Sequence, residues 1–266
     1  MFSTLLVDLS LESLAPPAIT WVRLALGFLV LAAFPVARRP VESSDRRRVL
    51  LLGLTWIVPF VLVPAAQQHI DSALAGMLIG LVPIFSASIA AVMMRSLPRL
   101  HQVAGIAVGF AGGIVIGVAA AGVSSAAAWG VLLMVLAALF YGVALNLAVP
   151  LQQRYGAPAV MMRAMGVAAV ATTPFGLFGL AGSQWSTGPV VAVATLGVIN
   201  TGAAFVIMTA LVGRVGAARG GVAVYFIPIV AIILGMIFRS EVLLPAQSLG
   251  IGLVLLGAFL AGRRES

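Results

Sequence analysis

Apolar residues run through this chain in long blocks, divided by short stretches where Arg, Gln, Ser, Gly or Pro gather. The blocks fall near residues 18–36, 49–67, 72–94, 101–121, 126–148, 158–182, 189–212, 217–238 and 243–262. A helix needs about 20 mostly apolar residues to cross a bilayer core, and it satisfies its own backbone where no water can. The pattern therefore predicts nine spanning helices, with no soluble domain between them. The opening MFSTLLVDLSLESLAPP differs: it has no basic start, carries Asp8 and Glu12, and its apolar run is too short for a signal peptide or a span. It reads as the second half of a helix.

The blocks also repeat. Phe60 and Phe205, Pro83 and Pro228, Gln102 and Gln247, Gly105 and Gly250, and Gly112 and Gly257 are each 145 positions apart. Upstream the match continues in a slipped register, APPAITWVR against GAPAVMMR. The expected organisation is an all-α membrane helix bundle of two five-helix repeats, residues 1–122 and 123–266, with nine full transmembrane helices plus a partial first one. Five crossings per half require the second half to be inverted, so arginines should change sides between the copies. They do if the 37–48 loop, with Arg38, Arg39, Arg46, Arg47 and Arg48, is cytosolic. Arg95, Arg99, Arg154, Arg214, Arg219, Arg263 and Arg264 then lie inside, and Arg239 outside.

Composition narrows the class. The chain is 62% hydrophobic and 8% charged, with a mean hydropathy of +1.18, where a soluble domain has about a quarter of its residues charged. Cysteine is absent, which excludes disulfides, thiol catalysis and cysteine-ligated metals. The net charge of +8 does not point to nucleic acid, because RRPVESSDRRR is short, lacks aromatic residues and lies between apolar spans. His69 and His101 fall at opposite ends of spans and cannot share a metal. No triad or carboxylate pair appears, GRVGAARGG lacks the context of a phosphate loop, and no cofactor or enzyme activity is implied.

The prolines suggest where function sits. Pro83 and Pro228 lie near the middle of their spans and withdraw the donors for the carbonyls of Ile79 and Val224. Such carbonyls are tolerated only against protein or a wet cavity, so two kinks suggest a cavity at the seam of the halves. Gly76 and Ser86 share helical spacing with Pro83; Gly221 and Tyr225 do so with Pro228. Asn200, Thr201, Thr55, Trp56, Trp129, Tyr141 and Asn146 are the remaining polar groups that could line a route. Arg23 and Arg163 occupy matching places some turns into their helices, where snorkelling or pairing at the helix end competes with binding an anionic substrate. Glu241 lies beyond its helix beside Arg239, which suits orienting a turn better than carrying protons. Gly105, Gly109 and Gly113 recur every fourth position, a close-packing face for a neighbouring helix or for a homodimer.

The order of APPAITWVR, a helix with a central proline, a short loop and a Q..G motif, repeated twice, resembles the EamA-like branch of the drug/metabolite transporter superfamily. The resemblance covers essentially the whole chain. It implies ten helices in two inverted repeats, cytosolic termini in a bacterial inner membrane, and export of a small metabolite or drug-like solute by alternating access without ATP. Exchange of a phosphorylated or nucleotide-linked metabolite is the alternative, as is a non-transporting membrane protein if the first helix is truly absent. The chain departs from the family in that short first helix and in Ser96, which stands where the second copy has Glu241.

Overall fold

Paired prolines open α2 (Pro16–Ala33), where the first-turn amides have no helical partner to lose. In the computed structural model, which describes residues 3–93, 100–121, 124–204, 207, 237 and 245–262, every regular element is helical. Before α2 lies α1 (Ser3–Leu11), fastened by Gln67 Nε2, which donates to the Thr4 carbonyl at 2.8 Å. After α2, two 3₁₀ turns (Pro35–Arg38 and Ser43–Asp45) lead into α3 (Arg46–Ala66). Then follow α4 (Ser72–Ile79), α5 (Val82–Met93), α6 (Leu100–Ala121), α7 (Ser125–Tyr155) and α8 (Ala157–Ala181). The helix α9 (Thr187–Thr195) runs into a π-helical turn, Leu196–Ala203, and α10 (Pro245–Gly262) closes the described chain. Except for residue 237, the predicted helix over 217–238 lies outside the described residues, as do Arg95, Arg99, Arg214, Arg219 and Arg239.

Among the described residues, α2, α3, the α4–α5 pair, α7 and α8 are long and apolar enough to cross a membrane. The block at 72–94 is two helices rather than one. The break falls at Gly80 and Leu81, whose amides turn back to Met77 and Leu78 at 2.9 and 3.1 Å, just ahead of Pro83. Pro83 thus stands in the first turn of α5, where it removes no bond from that helix. α7 runs on to Tyr155 and stops at Gly156, whose φ of +84° suits a residue without a Cβ.

Three apolar clusters hold the described bundle, the smallest joining Val7, Leu14, Ile19, Val193 and Leu196 of α1, α2, α9 and their flanks. Of the larger two, one gathers around α4, α5, the first half of α7 and Ile251 and Val254 of α10. The other joins α2, α3, the second half of α7 and α8. Tyr141 packs against both. The outer surface is apolar too: Val170, Phe175 and Phe178 are 75%, 70% and 83% exposed, which suits lipid and not water.

α6 and α10 meet backbone to backbone. A Cβ on Gly112 would lie 2.6 Å from the Gly250 carbonyl, and one on Gly250 would lie 2.9 Å from the Gly112 carbonyl. At the other end, a Cβ on Gly257 would strike the Gly105 carbonyl and the Gly109 amide. Gly109 also abuts Ile84, and Gly113 has Leu81 at 3.4 Å. Of the two expected uses of Gly105, Gly109 and Gly113, packing against neighbouring helices is the one seen: the small-residue stripe lets α10 and α5 approach closely within the chain.

Candidate functional site

One face of α2 is buried at Thr20, Arg23, Leu24, Gly27 and Leu31, spaced by three and four so that they fall on one stripe. Arg23 is thereby carried into the bundle, 9% exposed. It stands seven residues into α2, or about 10 Å at 1.5 Å per residue. Its Nε donates to Thr201 Oγ1 at 2.9 Å, and its guanidinium carbon lies 4.4 Å from the centre of the Phe60 ring. No carboxylate among the described residues pairs with it. The expectation that Arg23 snorkels to a helix end is corrected. Its place on the buried stripe fixes its direction, and a cation stacked on an aromatic face in a dry setting gains about 2 kcal/mol towards its desolvation.

Thr201 is fully buried and is placed by the π turn. Its hydroxyl donates to the Leu196 carbonyl, five residues back, at 3.0 Å while accepting from Arg23. Gly27 makes room: a Cβ there would lie 2.8 Å from Thr201 Cγ2. Asn200, the neighbouring position, is half-buried.

Among the described residues, Phe60 belongs to a cluster of three aromatic rings. Trp56 and Tyr141 meet edge to face with centroids 5.4 Å apart; Trp56 and Phe60 do so at 5.8 Å, and Tyr141 is 6.3 Å from Phe60. The backbone under Phe60 is shaped by Pro64, which removes the amide that its carbonyl would accept from. Thr20 Oγ1 replaces it, donating to the Phe60 carbonyl at 2.8 Å from α2. Phe60, marked in the sequence only as a repeat position, and Thr20 were not among the candidate site residues. The signal was present in Pro64, four positions after Phe60, but it announces an orphan carbonyl and not which helix supplies the donor.

A second polar contact lies one turn further along α7. Asn146 Nδ2 donates to the Ser86 carbonyl, Ser86 Oγ and its own Gly142 carbonyl at 3.0, 3.1 and 2.9 Å. Gly142 allows it, since a Cβ there would be 2.9 Å from the Ser86 amide. α5 is thus pinned to α7 just beyond its broken junction with α4, beside half-buried Pro83 and buried Gly76.

Sequence-marked residues therefore divide. Arg23, Thr201, Trp56 and Tyr141 converge; Ser86 and Asn146 form a neighbouring pair. Thr55 bonds back to the Leu51 carbonyl of its own helix, and Trp129 is 52% exposed on the outside. Arg163 stays at the end of the bundle, donating to the carbonyls of Ala37 at 3.1 Å and Ala159 at 2.9 Å. There it joins Arg154, which pairs with Glu42 and Asp45 at 3.0 and 2.9 Å and so brings the loop after α7 to the 37–48 loop. The Tyr155 hydroxyl, bonded to Asp45 at 2.8 Å, with Arg154 and Arg48 beside it, holds the Asp45 carboxyl below the usual carboxylate range. Tyr225, Gly221, Pro228 and Glu241 lie outside the described residues. Among the described residues, no three His, Asp or Glu side chains gather to hold a metal.

The EamA-like transporter family model matches residues 2–118 and 128–263. The chain belongs to the EamA-like transporter family. This EamA-like protein is 31% identical over 241 residues to a probable terminal-alkyne amino-acid exporter of Streptantibioticus cattleyicolor, covering 89% of this chain and 80% of the relative. It is 25% identical to an uncharacterized transporter of Archaeoglobus fulgidus, over 97% of this chain and 93% of that one. Its fold is shared with a protein of known crystal structure, with a TM-score of 0.65 at 22% identity over 97% of this chain and 93% of the other. It is thus an integral membrane transporter and not an enzyme.

Proposed function

We propose that this EamA-like transporter exports small carboxylate-bearing solutes of the amino-acid class, by alternating access and without ATP. The carrying observation is Arg23, buried in mid-bundle, held through Nε by Thr201 and stacked on Phe60. Its two terminal nitrogens form no hydrogen bond with the described residues, and a guanidinium presents such a pair to a carboxylate in bidentate fashion. Trp56 and Tyr141 offer flat faces for the remainder of a small solute. The exporter relative supports an amino-acid substrate. A phosphorylated metabolite asks for more positive charge than one arginine, and Arg163 stands at the bundle end, away from Arg23.

The reading includes two inverted five-helix repeats, 1–122 and 123–266, in the plasma membrane of a bacterium, with the arginine-rich end and the C-terminus cytosolic. Two separate stretches match the one family model, which supports duplication. So does the α6–α10 contact, where Gly112 meets Gly250 and Gly105 meets Gly257: the partners exchange places under the offset of 145. Pro83 and Pro228 serve as paired hinges, with Tyr225 beside the route, on sequence grounds.

The test is counterflow in proteoliposomes loaded with a radiolabelled amino acid, against a panel of amino acids and their decarboxylated amines. Competition should require the carboxylate, and Arg23→Gln should lower transport at least about tenfold, the scale of one charged hydrogen bond, while Arg23→Lys keeps part of it. Amines that compete as well as amino acids would overturn the substrate class. Because the chain has no cysteine, single-cysteine labelling can test the inversion, with positions 95–99 and 239–241 expected on opposite faces.

A further inference from the structure

A long groove runs down the outside of the bundle between α2, α3 and α8, with a volume of about 1140 Å³. Its walls are apolar, including Ala25, Phe28, Leu50, Leu54, Val167 and Val170. Its head is not: Arg46, Arg47 and Arg163 line the end nearest the 37–48 loop. From Arg163 to Thr173 at the far end is ten residues of α8, about 15 Å along the helix axis. That is half the roughly 30 Å of a bilayer core, the depth of one leaflet.

The charges at the head are uncompensated. Glu42 and Asp45, the loop's acidic groups, pair with Arg154 and Arg48. Neither Arg46 nor Arg47 pairs with a carboxylate among the described residues. Both stand in the first turn of α3, where the helix dipole already presents positive charge and a cation is unfavourable. An anion placed there relieves both.

We infer that this groove is a binding site for an anionic phospholipid, its phosphate held by Arg46, Arg47 and Arg163 and one acyl chain lying along α8 towards Trp21. A groove on the lipid-facing side of a membrane protein is filled by lipid in any case. The arginines select which lipid, as basic pockets between spanning helices do for acidic headgroups.

Trp21 lines the deep end, its Nε1 donating to Thr173 Oγ1 at 3.1 Å, and serves as the reporter. The full chain is placed in phosphatidylcholine nanodiscs containing a minor fraction of either phosphatidylglycerol or phosphatidylcholine brominated on its acyl chains. The Trp21 signal is taken as the difference between wild type and Trp21→Phe. Brominated phosphatidylglycerol should quench Trp21 several-fold more effectively than brominated phosphatidylcholine, with roughly a five-fold preference per arginine. Arg46→Gln with Arg47→Gln should abolish the preference and leave quenching by phosphatidylcholine unchanged, which also reports an intact groove. Equal quenching by the two lipids in the wild type, or a preference that survives both substitutions, overturns the inference. Loss of the preference on adding inorganic phosphate also overturns it, by assigning the arginines to a soluble anion.

Discussion

Arg23 and Thr201, 178 positions apart, share a buried hydrogen bond of 2.9 Å between Nε and Oγ1. The contact joins a regular helix to a π-helical turn, a local widening often found where a helix carries function. It orients the guanidinium, whose terminal nitrogens form no hydrogen bond with the described residues. Thr201→Val removes the acceptor while keeping the shape. A hydrogen bond to a charged group contributes about 1.5–3 kcal/mol, so the KM for counterflow should rise roughly tenfold or more, and Thr201→Ser should stay near wild type. A KM unchanged in Thr201→Val would separate this hydroxyl from substrate handling.

Thr20 and Pro64 form a pair that a double-mutant cycle can resolve. Thr20→Val leaves the Phe60 carbonyl without a donor and should lower stability by about 1–2 kcal/mol. Pro64→Ala restores a backbone amide to that carbonyl, so the loss on Thr20→Val should largely vanish in the Pro64→Ala background. Melting in detergent measures all four proteins. Additive losses would break the link.

The α6–α10 contact can be probed with two glycines of the same helix. Gly250→Leu collides with Ile116 and the Gly112 carbonyl, whereas Gly252 has nothing within 4 Å of an added Cβ. The first substitution should lower the yield of monodisperse protein severely, by the several kcal/mol that separated helices forfeit in packing. Gly252→Leu should be tolerated. Size-exclusion profiles after identical extraction give the comparison.

Asp45 makes stability depend on acid pH. Its native carboxyl is held below the unfolded value by Tyr155 and the neighbouring arginines. The stabilisation is therefore complete above the unfolded pKa, near 4, and is lost as pH falls through the lower native value. Asp45→Asn should be less stable than wild type at neutral pH, and the gap should close as the pH is taken below about 4. A gap that widens in acid would reverse the assignment.

The blocks near 18–36, 49–67, 72–94, 126–148 and 158–182 were legible in the chain as spanning stretches, because an apolar run of membrane length leaves the backbone one way to pair. The helix break beside Pro83 was signalled by the proline itself, although it falls at Gly80 and Leu81 and not within α5. Arg23 was legible as a residue of interest but its direction was not. Its stripe with Thr20, Gly27 and Leu31 shows in the sequence, but an apolar helix has apolar residues on its other faces as well, so the pattern does not say which face is inward.

Composition and periodicity by themselves determined that this protein is an all-helical membrane bundle, since 8% charge and blocks of spanning length admit little else. Tertiary structure decided which polar groups share a site. Arg23, Phe60, Tyr141 and Thr201 come from four elements far apart in the chain, and only the approach allowed by glycines such as Gly27 brings them within bonding reach. The same packing turned Arg23 inward and left Arg163 at the bundle end. In a chain so uniformly apolar, hydrophobicity sets where helices run along the membrane normal, while close contact between particular side chains sets how each is rotated.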